Sequence, residues 1–141
     1  MVRLAETYSY KGASEILRRK SLSREIEYAI TDAPIVEHPV LQGLLGQRGW
    51  QVKAYLLEGT RYMQDAFKDR VLVEIDLKGS LLDSVHRNFL RAQLLMVLGK
   101  IDVLVQIVET QRDPKFQSIK RDVEMFSPVI TVPILLLGVE Q

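Results

Sequence analysis

The sequence contains no cysteine and only two histidines. The absence of cysteine excludes disulfide bonds and thiolate metal ligands, and two histidines argue against a zinc site of the usual kind. No apolar run approaches the length that spans a bilayer, and the N-terminus lacks the basic and then apolar layout of a signal peptide. We therefore expect a cytoplasmic protein with no membrane partner.

An excess of charge of one sign is also absent, because 19 basic and 18 acidic residues give a net charge of +1. The protein as a whole therefore has no electrostatic attraction to nucleic acid, and any basic surface must come from local clusters. Candidate clusters are Arg18, Arg19 and Lys20 with Arg24, and Arg87 with Arg91. With 141 residues, 47% of them hydrophobic, the sequence predicts a single domain over residues 1–141 with a core of its own.

The most informative stretch that is present is a strand-like segment with charges on one face. Side chains of a strand alternate in direction, so the apolar alternation over residues 70–78 places Glu74, Asp76 and Lys78 together on one face. Like charges at positions i and i+2 repel each other unless something cationic lies between them. The pattern therefore indicates either a solvent-exposed charged face or a cation-binding site.

The predicted element order is β-α-α-loop-β-β-α-β-α-β, an α/β protein with a mixed central sheet flanked by helices. We predict strands over residues 2–10, 52–58, 70–78, 101–108 and 129–138. Four helices are predicted: a short one that begins at 14, one from 21 or 23 to 30, and two over 81–98 and 114–126. The loop over 31–39 precedes the segment 40–48, in which any helix is short. The strands over 52–58 and 70–78 are expected to pair as a hairpin.

Two further expectations concern the last strands. The apolar, β-branched run over 101–108 predicts a strand buried on both faces, joined to the charged strand by a parallel helical crossover. Pro133 lies within the predicted strand over 129–138. Because proline cannot donate a ladder hydrogen bond, we expect that strand to be at an edge or irregular.

The spacing of the acidic residues resembles a known nuclease core. Asp65, eight intervening residues, and then Glu74-Ile75-Asp76 at the end of an apolar strand are similar to the PD-(D/E)xK superfamily. The segment is most similar to BglII/BstYI-type restriction endonucleases, in which a metal-binding Asp precedes a Lys-Arg-like pair, an apolar strand and Val-Glu-x-Gln. The segments 13–17 and 132–138 and the single tryptophan, Trp50, also look like parts of that family.

The resemblance implies a metal-dependent DNA endonuclease with Mg²⁺ or Mn²⁺ as cofactor. Water attack on a phosphodiester builds negative charge, which a divalent cation with hard oxygen ligands can stabilise. The implied metal ligands are Asp65, Glu74, Asp76 and the carbonyl of Ile75. Asp76 would polarise the attacking water or join a second metal, and Lys78 would stabilise the developing charge.

Two registers of the motif fit the sequence, Glu74-x-Asp76 and Asp76-x-Lys78, and both use Asp65 and Asp76. Lys53 lies where the family has an asparagine that contributes to the site. We predict Lys53, Arg87 and Arg91 as DNA contacts, since paired arginines one helical turn apart suit phosphate groups.

Duplex symmetry and the family resemblance together predict a homodimer, because cutting two strands requires two sites. Two other functions stay open from the sequence. One is a non-catalytic DNA-binding or assembly protein with the same fold, and the other is an interaction protein without a nucleic-acid role. Metal-dependent hydrolysis of plasmid DNA separates the nuclease from both alternatives.

Overall fold

The computed structural model describes residues 1–77, 82–110 and 115–141, with the backbone alone at 82 and 115. Within these ranges the chain forms six strands and five helices. None of the helices in the described ranges is both long enough and apolar enough to cross a membrane. The elements are β1 (Arg3–Tyr10), α1 (Ala13–Arg19), α2 (Ser23–Asp32), α3 (His38–Gln47), β2 (Gln51–Ala54), β3 (Gln64–Lys68), β4 (Val71–Asp76), α4 (Leu82–Val97), β5 (Val103–Glu109), α5 (Lys115–Met125) and β6 (Ile134–Glu140).

The strands form one mixed sheet in the order β1-β6-β5-β4-β3-β2. The central strands β4, β5 and β6 are parallel, whereas β1 pairs antiparallel with β6, and β3 pairs antiparallel with both β4 and β2. The predicted α/β class, the mixed sheet flanked by helices and the parallel pairing of β4 with β5 are all confirmed.

Alternation along the central strands builds a separate core on each face of the sheet. Val71, Val73 and Ile75 of β4 pack in the core under α1, α2 and α3. Leu72 packs in the other core, under α4 and α5. Because side chains two residues apart share a face, Glu74 and Asp76 lie on the α4 side of the sheet.

Every residue of β5 is buried, which confirms the predicted central strand. Burial of an apolar side chain stabilises the fold by about 1.5–3 kcal/mol, so an almost continuous apolar run suits a strand covered on both faces. Gln106 is the polar residue in the middle of this run, and its side chain is fully buried.

The predicted hairpin between 52–58 and 70–78 is wrong, because β3 lies between β2 and β4. β2 ends at Ala54, and Lys53 within it has a φ of 55°, which interrupts regular pairing. β3 and β4 instead form a tight hairpin with Asp69 and Arg70 at positive φ of 46° and 64°. Two residues at positive φ are typical of a type I′ turn, whose twist matches that of the paired strands.

Two elements begin next to a proline: α3 beside Pro39 and β6 beside Pro133. The sequence predicted a loop at the first position and an edge or irregular strand at the second. α3 begins at His38, inside the predicted loop, with Pro39 in its first turn. Backbone N–H groups in the first turn have no acceptor within the helix, so a proline there costs no hydrogen bond. β6 begins directly after Pro133 and lies between β5 and β1, so its predicted edge position is wrong. The proline carbonyl still accepts a hydrogen bond from the Leu104 N–H at 3.0 Å.

Candidate active site

A cleft of about 650 Å³ opens beside the C-terminal end of β4. One wall is formed by the segment 36–39 at the start of α3, and the opposite wall by α4. The predicted acids Asp65, Glu74 and Asp76 all line this cleft. The lining residues from α4 are Ser84, Arg87, Asn88 and Arg91.

Asp65 and Glu74 lie on adjacent strands and are joined through backbone groups. The Asp65 N–H donates to Glu74 Oε1 at 3.1 Å, and the Ile75 N–H donates to Asp65 Oδ2 at 2.7 Å. The antiparallel pairing of Ala66 with Val73 in the β3–β4 hairpin produces this proximity. The tight turn after β3 therefore sets the relative position of the first two acids.

The pKa of the Glu74 carboxyl is raised to about 8, because burial disfavours its charged form. The negative charges of Asp65 and Asp76 raise it further, whereas the Asp65 N–H and the charge of Arg91 lower it. In the metal-free protein at neutral pH the Glu74 carboxyl is therefore mostly protonated. The cleft thus holds more acids than it can keep ionised without a cation.

His38 is a cleft residue that sequence reasoning did not identify. Its Nε2 lies 2.8 Å from Asp65 Oδ1, and the pKa of the imidazole is raised chiefly by this hydrogen bond, although burial opposes the shift. Gln42, one turn further along α3, donates from Nε2 to the Asp65 carbonyl at 2.9 Å. The first helical turns of α3 therefore hold Asp65 from the side opposite β4.

Asp76 is held by two amide side chains that the sequence analysis also missed. Its Oδ2 accepts hydrogen bonds from Asn88 Nδ2 at 2.7 Å and from Gln106 Nε2 at 2.9 Å. A sequence signal for Gln106 exists, because it is the polar residue in a strand predicted to be buried on both faces. No comparable signal marks Asn88, which borders the apolar face of α4.

Two of the three predicted DNA contacts line the cleft, and the third lies outside it. Arg87 and Arg91 line the cleft, and the Arg91 guanidinium lies 3.4 Å from the centre of the Tyr62 ring. Lys53 is exposed on the edge strand β2 and does not line the cleft. Lys78, predicted as a catalytic residue, lies outside the described residues.

The acids suit a divalent cation by their chemistry. Carboxylate oxygens are the ligands that Mg²⁺ and Mn²⁺ prefer, and the pKa of Glu74 is raised by burial and then by the negative charges of Asp65 and Asp76, which a cation would neutralise. Within the described ranges, however, no group of three or more His, Asp or Glu side chains is already close enough together to hold an ion. The ligand set Asp65, Glu74, Asp76 and the Ile75 carbonyl stays a prediction.

The fold and its acidic cleft define a restriction-endonuclease-like protein. The family model for restriction endonuclease BglII/BglIII matches residues 5–139, so the chain belongs to that family of DNA nucleases. A crystal structure of restriction endonuclease BglII complexed with a DNA 16-mer is similar in fold, with a TM-score of 0.81 and 17% sequence identity over 100% of this chain and 78% of that chain. Curated protein sequences gave no match.

Proposed function

We propose that the protein is a metal-dependent endonuclease that hydrolyses phosphodiester bonds in duplex DNA at this cleft. The observation that supports the proposal most is the presence of Asp65, Glu74 and Asp76 beside Arg87 and Arg91 in one cleft. Membership of the BglII/BglIII family and the fold shared with a DNA-bound restriction endonuclease support it further.

Each residue has a role in the proposed reaction. Asp65, Glu74 and the Ile75 carbonyl hold the metal ion, which when bound acts as a Lewis acid on the phosphodiester. Asp76 accepts a hydrogen bond from the attacking water or supplies a further metal ligand. Arg87 and Arg91 bind phosphate oxygens of the DNA backbone, and Lys53 extends this basic surface along the edge of the sheet.

Cleavage of supercoiled plasmid tests the proposal. We expect the purified wild type to convert plasmid to nicked and linear forms with Mg²⁺ or Mn²⁺, and EDTA to stop the reaction. If no metal supports cleavage but the protein retains DNA in a salt-sensitive manner, the non-catalytic alternative replaces the nuclease. If it neither cuts nor retains DNA, a nucleic-acid role is excluded.

A homodimer would place two such clefts on one duplex, and α4 offers a surface for it. Leu90, Leu94 and Val97 on α4, and Leu98 directly after it, are exposed apolar side chains, and the same helix also lines the cleft. We propose that a second copy of the chain covers this apolar stripe. A two-fold contact through α4 would fix the two clefts relative to each other.

The apolar stripe predicts that one charged substitution within it will weaken the dimer. Leu94 and Tyr28 are exposed to nearly equal extents, 47% and 46%, but Tyr28 is on α2, which packs on the other face of the sheet. We expect Leu94→Glu to weaken the dimer at least tenfold, about 1.4 kcal/mol, because two like charges would meet at the two-fold axis. Tyr28→Glu is the matched control and should leave the dimer intact in sedimentation equilibrium. Equal dimerisation of both variants would contradict the proposed interface.

Lys78→Ala distinguishes the two registers. We propose the Glu74-x-Asp76 register, because the family is BglII/BglIII and its enzymes resemble this segment in that register. In this register Lys78 contacts phosphate only, so Lys78→Ala should reduce the slope of log affinity against log salt by about 1 and leave the maximal rate nearly unchanged. A loss of the maximal rate of roughly 10²–10³-fold at low salt would instead assign Asp76-x-Lys78 as the catalytic motif.

A further inference from the structure

The Gln106 side chain lies in the centre of the sheet, where a polar group needs a specific partner. It is fully buried in β5, beside Glu74 of β4 in the parallel register. A buried amide without hydrogen bonds would destabilise the fold, because its polar groups would lose the hydrogen bonds that they make to water. Gln106 instead donates from Nε2 to Asp76 Oδ2 and accepts at Oε1 a hydrogen bond of 3.0 Å from Asn88 Nδ2.

Asn88 completes a ring of three hydrogen bonds among these side chains. Its Nδ2 donates to both Asp76 Oδ2 and Gln106 Oε1, and Gln106 donates in turn to the same Asp76 oxygen. Turning either amide by 180° would place a carbonyl oxygen against the carboxylate, so the network sets the orientation of both amides. Two donors therefore hold a single oxygen of Asp76.

Among the described residues, both donors to Asp76 bond to the same oxygen, Oδ2. Oδ1 accepts no hydrogen bond from any residue that the structure describes, and Asp76 lines the cleft. An amide at this position could accept the same two hydrogen bonds through its oxygen, but it would then present an NH₂ group instead of an acceptor. A carboxylate held in this way offers a free acceptor to a cation or to water.

We propose that Asn88 and Gln106 are positioning residues that fix Asp76 through Oδ2, so that Oδ1 faces the metal ion directly or through a water bound to that ion. This inference rests on the proposed function of the cleft. It adds to that function two residues, one on α4 and one on β5, that act through Asp76 without touching the substrate.

The test uses Gln106→Leu, which nearly conserves side-chain volume and removes every hydrogen bond of the Gln106 side chain, including those with Asp76 and Asn88. We expect Mn²⁺ affinity, measured by electron paramagnetic resonance without DNA, to fall about 10–100-fold, the usual effect of losing a residue that orients a metal ligand. Plasmid cleavage should lose kcat with little change in KM. If Gln106→Leu does not fold, Asn88→Ala replaces it, because it removes the hydrogen bonds that α4 donates to Asp76 and Gln106. The same fall in Mn²⁺ affinity is expected.

Gln93→Leu is the matched control. Gln93 is also on α4, and its side chain accepts hydrogen bonds of 2.8 Å from the backbone N–H groups of Thr131 and Val132, away from the cleft. Gln93→Leu should lower the melting temperature and leave Mn²⁺ affinity unchanged. Gln106→Leu should weaken Mn²⁺ binding whatever its effect on the melting temperature.

Repeating the Gln106→Leu substitution in the Asp76→Ala variant distinguishes a positioning role of Gln106 from a general structural one. In Asp76→Ala, adding Gln106→Leu should change Mn²⁺ affinity less than twofold, since the residue through which Gln106 acts is gone. Equal losses in both backgrounds, or a folded Gln106→Leu with wild-type affinity, would overturn the inference. If the wild type itself binds no Mn²⁺, the proposed function fails, which is a different result.

Discussion

Cleavage by Asp65→Ala and Glu74→Ala should fall by on the order of 10³-fold or more with either Mg²⁺ or Mn²⁺. Both carboxylates are proposed metal ligands. Each accepts a hydrogen bond from the backbone of the other strand, Asp65 from the Ile75 N–H and Glu74 from the Asp65 N–H. Above about pH 8, where its carboxyl ionises, Glu74→Ala should keep or increase the stability of the metal-free fold, because it removes an acid whose ionised form is disfavoured by burial and repelled by Asp65 and Asp76.

Glu15→Ala provides the control for these variants. Glu15 pairs with Arg18 and Arg19 of its own helix, α1, outside the cleft, so its loss removes a carboxylate without changing the proposed site. We expect its cleavage rate to equal that of the wild type after correction for any loss of folded protein. Cleavage that persists in Asp65→Ala and Glu74→Ala would assign the activity to another site or to a contaminant.

The metal-free protein should lose stability as pH rises from about 5 to 8. The folded-state pKa of Glu74 is about 8, above its ordinary value of 4.5, so between these values the folded state binds the proton that the unfolded state has released. The free energy of unfolding then falls with pH by up to about 1.4 kcal/mol per unit. The His38 pKa is also raised, so its stabilising contribution is present below its unfolded pKa and is likewise lost as pH rises through the folded value.

Urea unfolding in EDTA at several pH values measures this dependence. Glu74→Gln, which cannot ionise, should flatten most of the slope and leave only the part contributed by His38 and other groups. Mg²⁺ should stabilise the wild type increasingly toward pH 8, since the ion binds the ionised carboxylate. A stability of the wild type that does not change between pH 5 and 8 in EDTA would contradict the raised pKa of Glu74.

Periodicity was enough to predict the parallel pair β4 and β5 at the centre of the sheet. The alternation in β4 and the apolar run of β5 are strong signals, and the helix between them has a broad apolar face. The β3–β4 hairpin lacked such a signal because its turn residues are Asp69 and Arg70 instead of the Asn-Gly or Asp-Gly typical of type I′ turns. Long-range contacts stabilise this turn: Lys20 donates to the Asp69 carbonyl, and Arg70 bonds to Asp102.

The acids of the site were predictable, but the residues that hold them were not. Glu74 and Asp76 are two residues apart on one strand, so alternation places them on one face, and the family resemblance added Asp65 on the neighbouring strand. His38, Asn88 and Gln106 come from three different elements and meet the acids only through the fold. Local patterns do not predict such contacts, since they depend on how α3 and α4 pack on the sheet and on how β5 pairs with β4.

A Mn²⁺-soaked crystal with an anomalous difference map tests the central claim most directly, namely that this cleft is a divalent-metal site. We predict a peak in the cleft within coordination distance of carboxylate oxygens of both Asp65 and Glu74, with Asp76 Oδ1 facing the ion directly or through water. A map with no peak in the cleft, from a crystal of protein that cleaves plasmid with Mn²⁺, would contradict the claim.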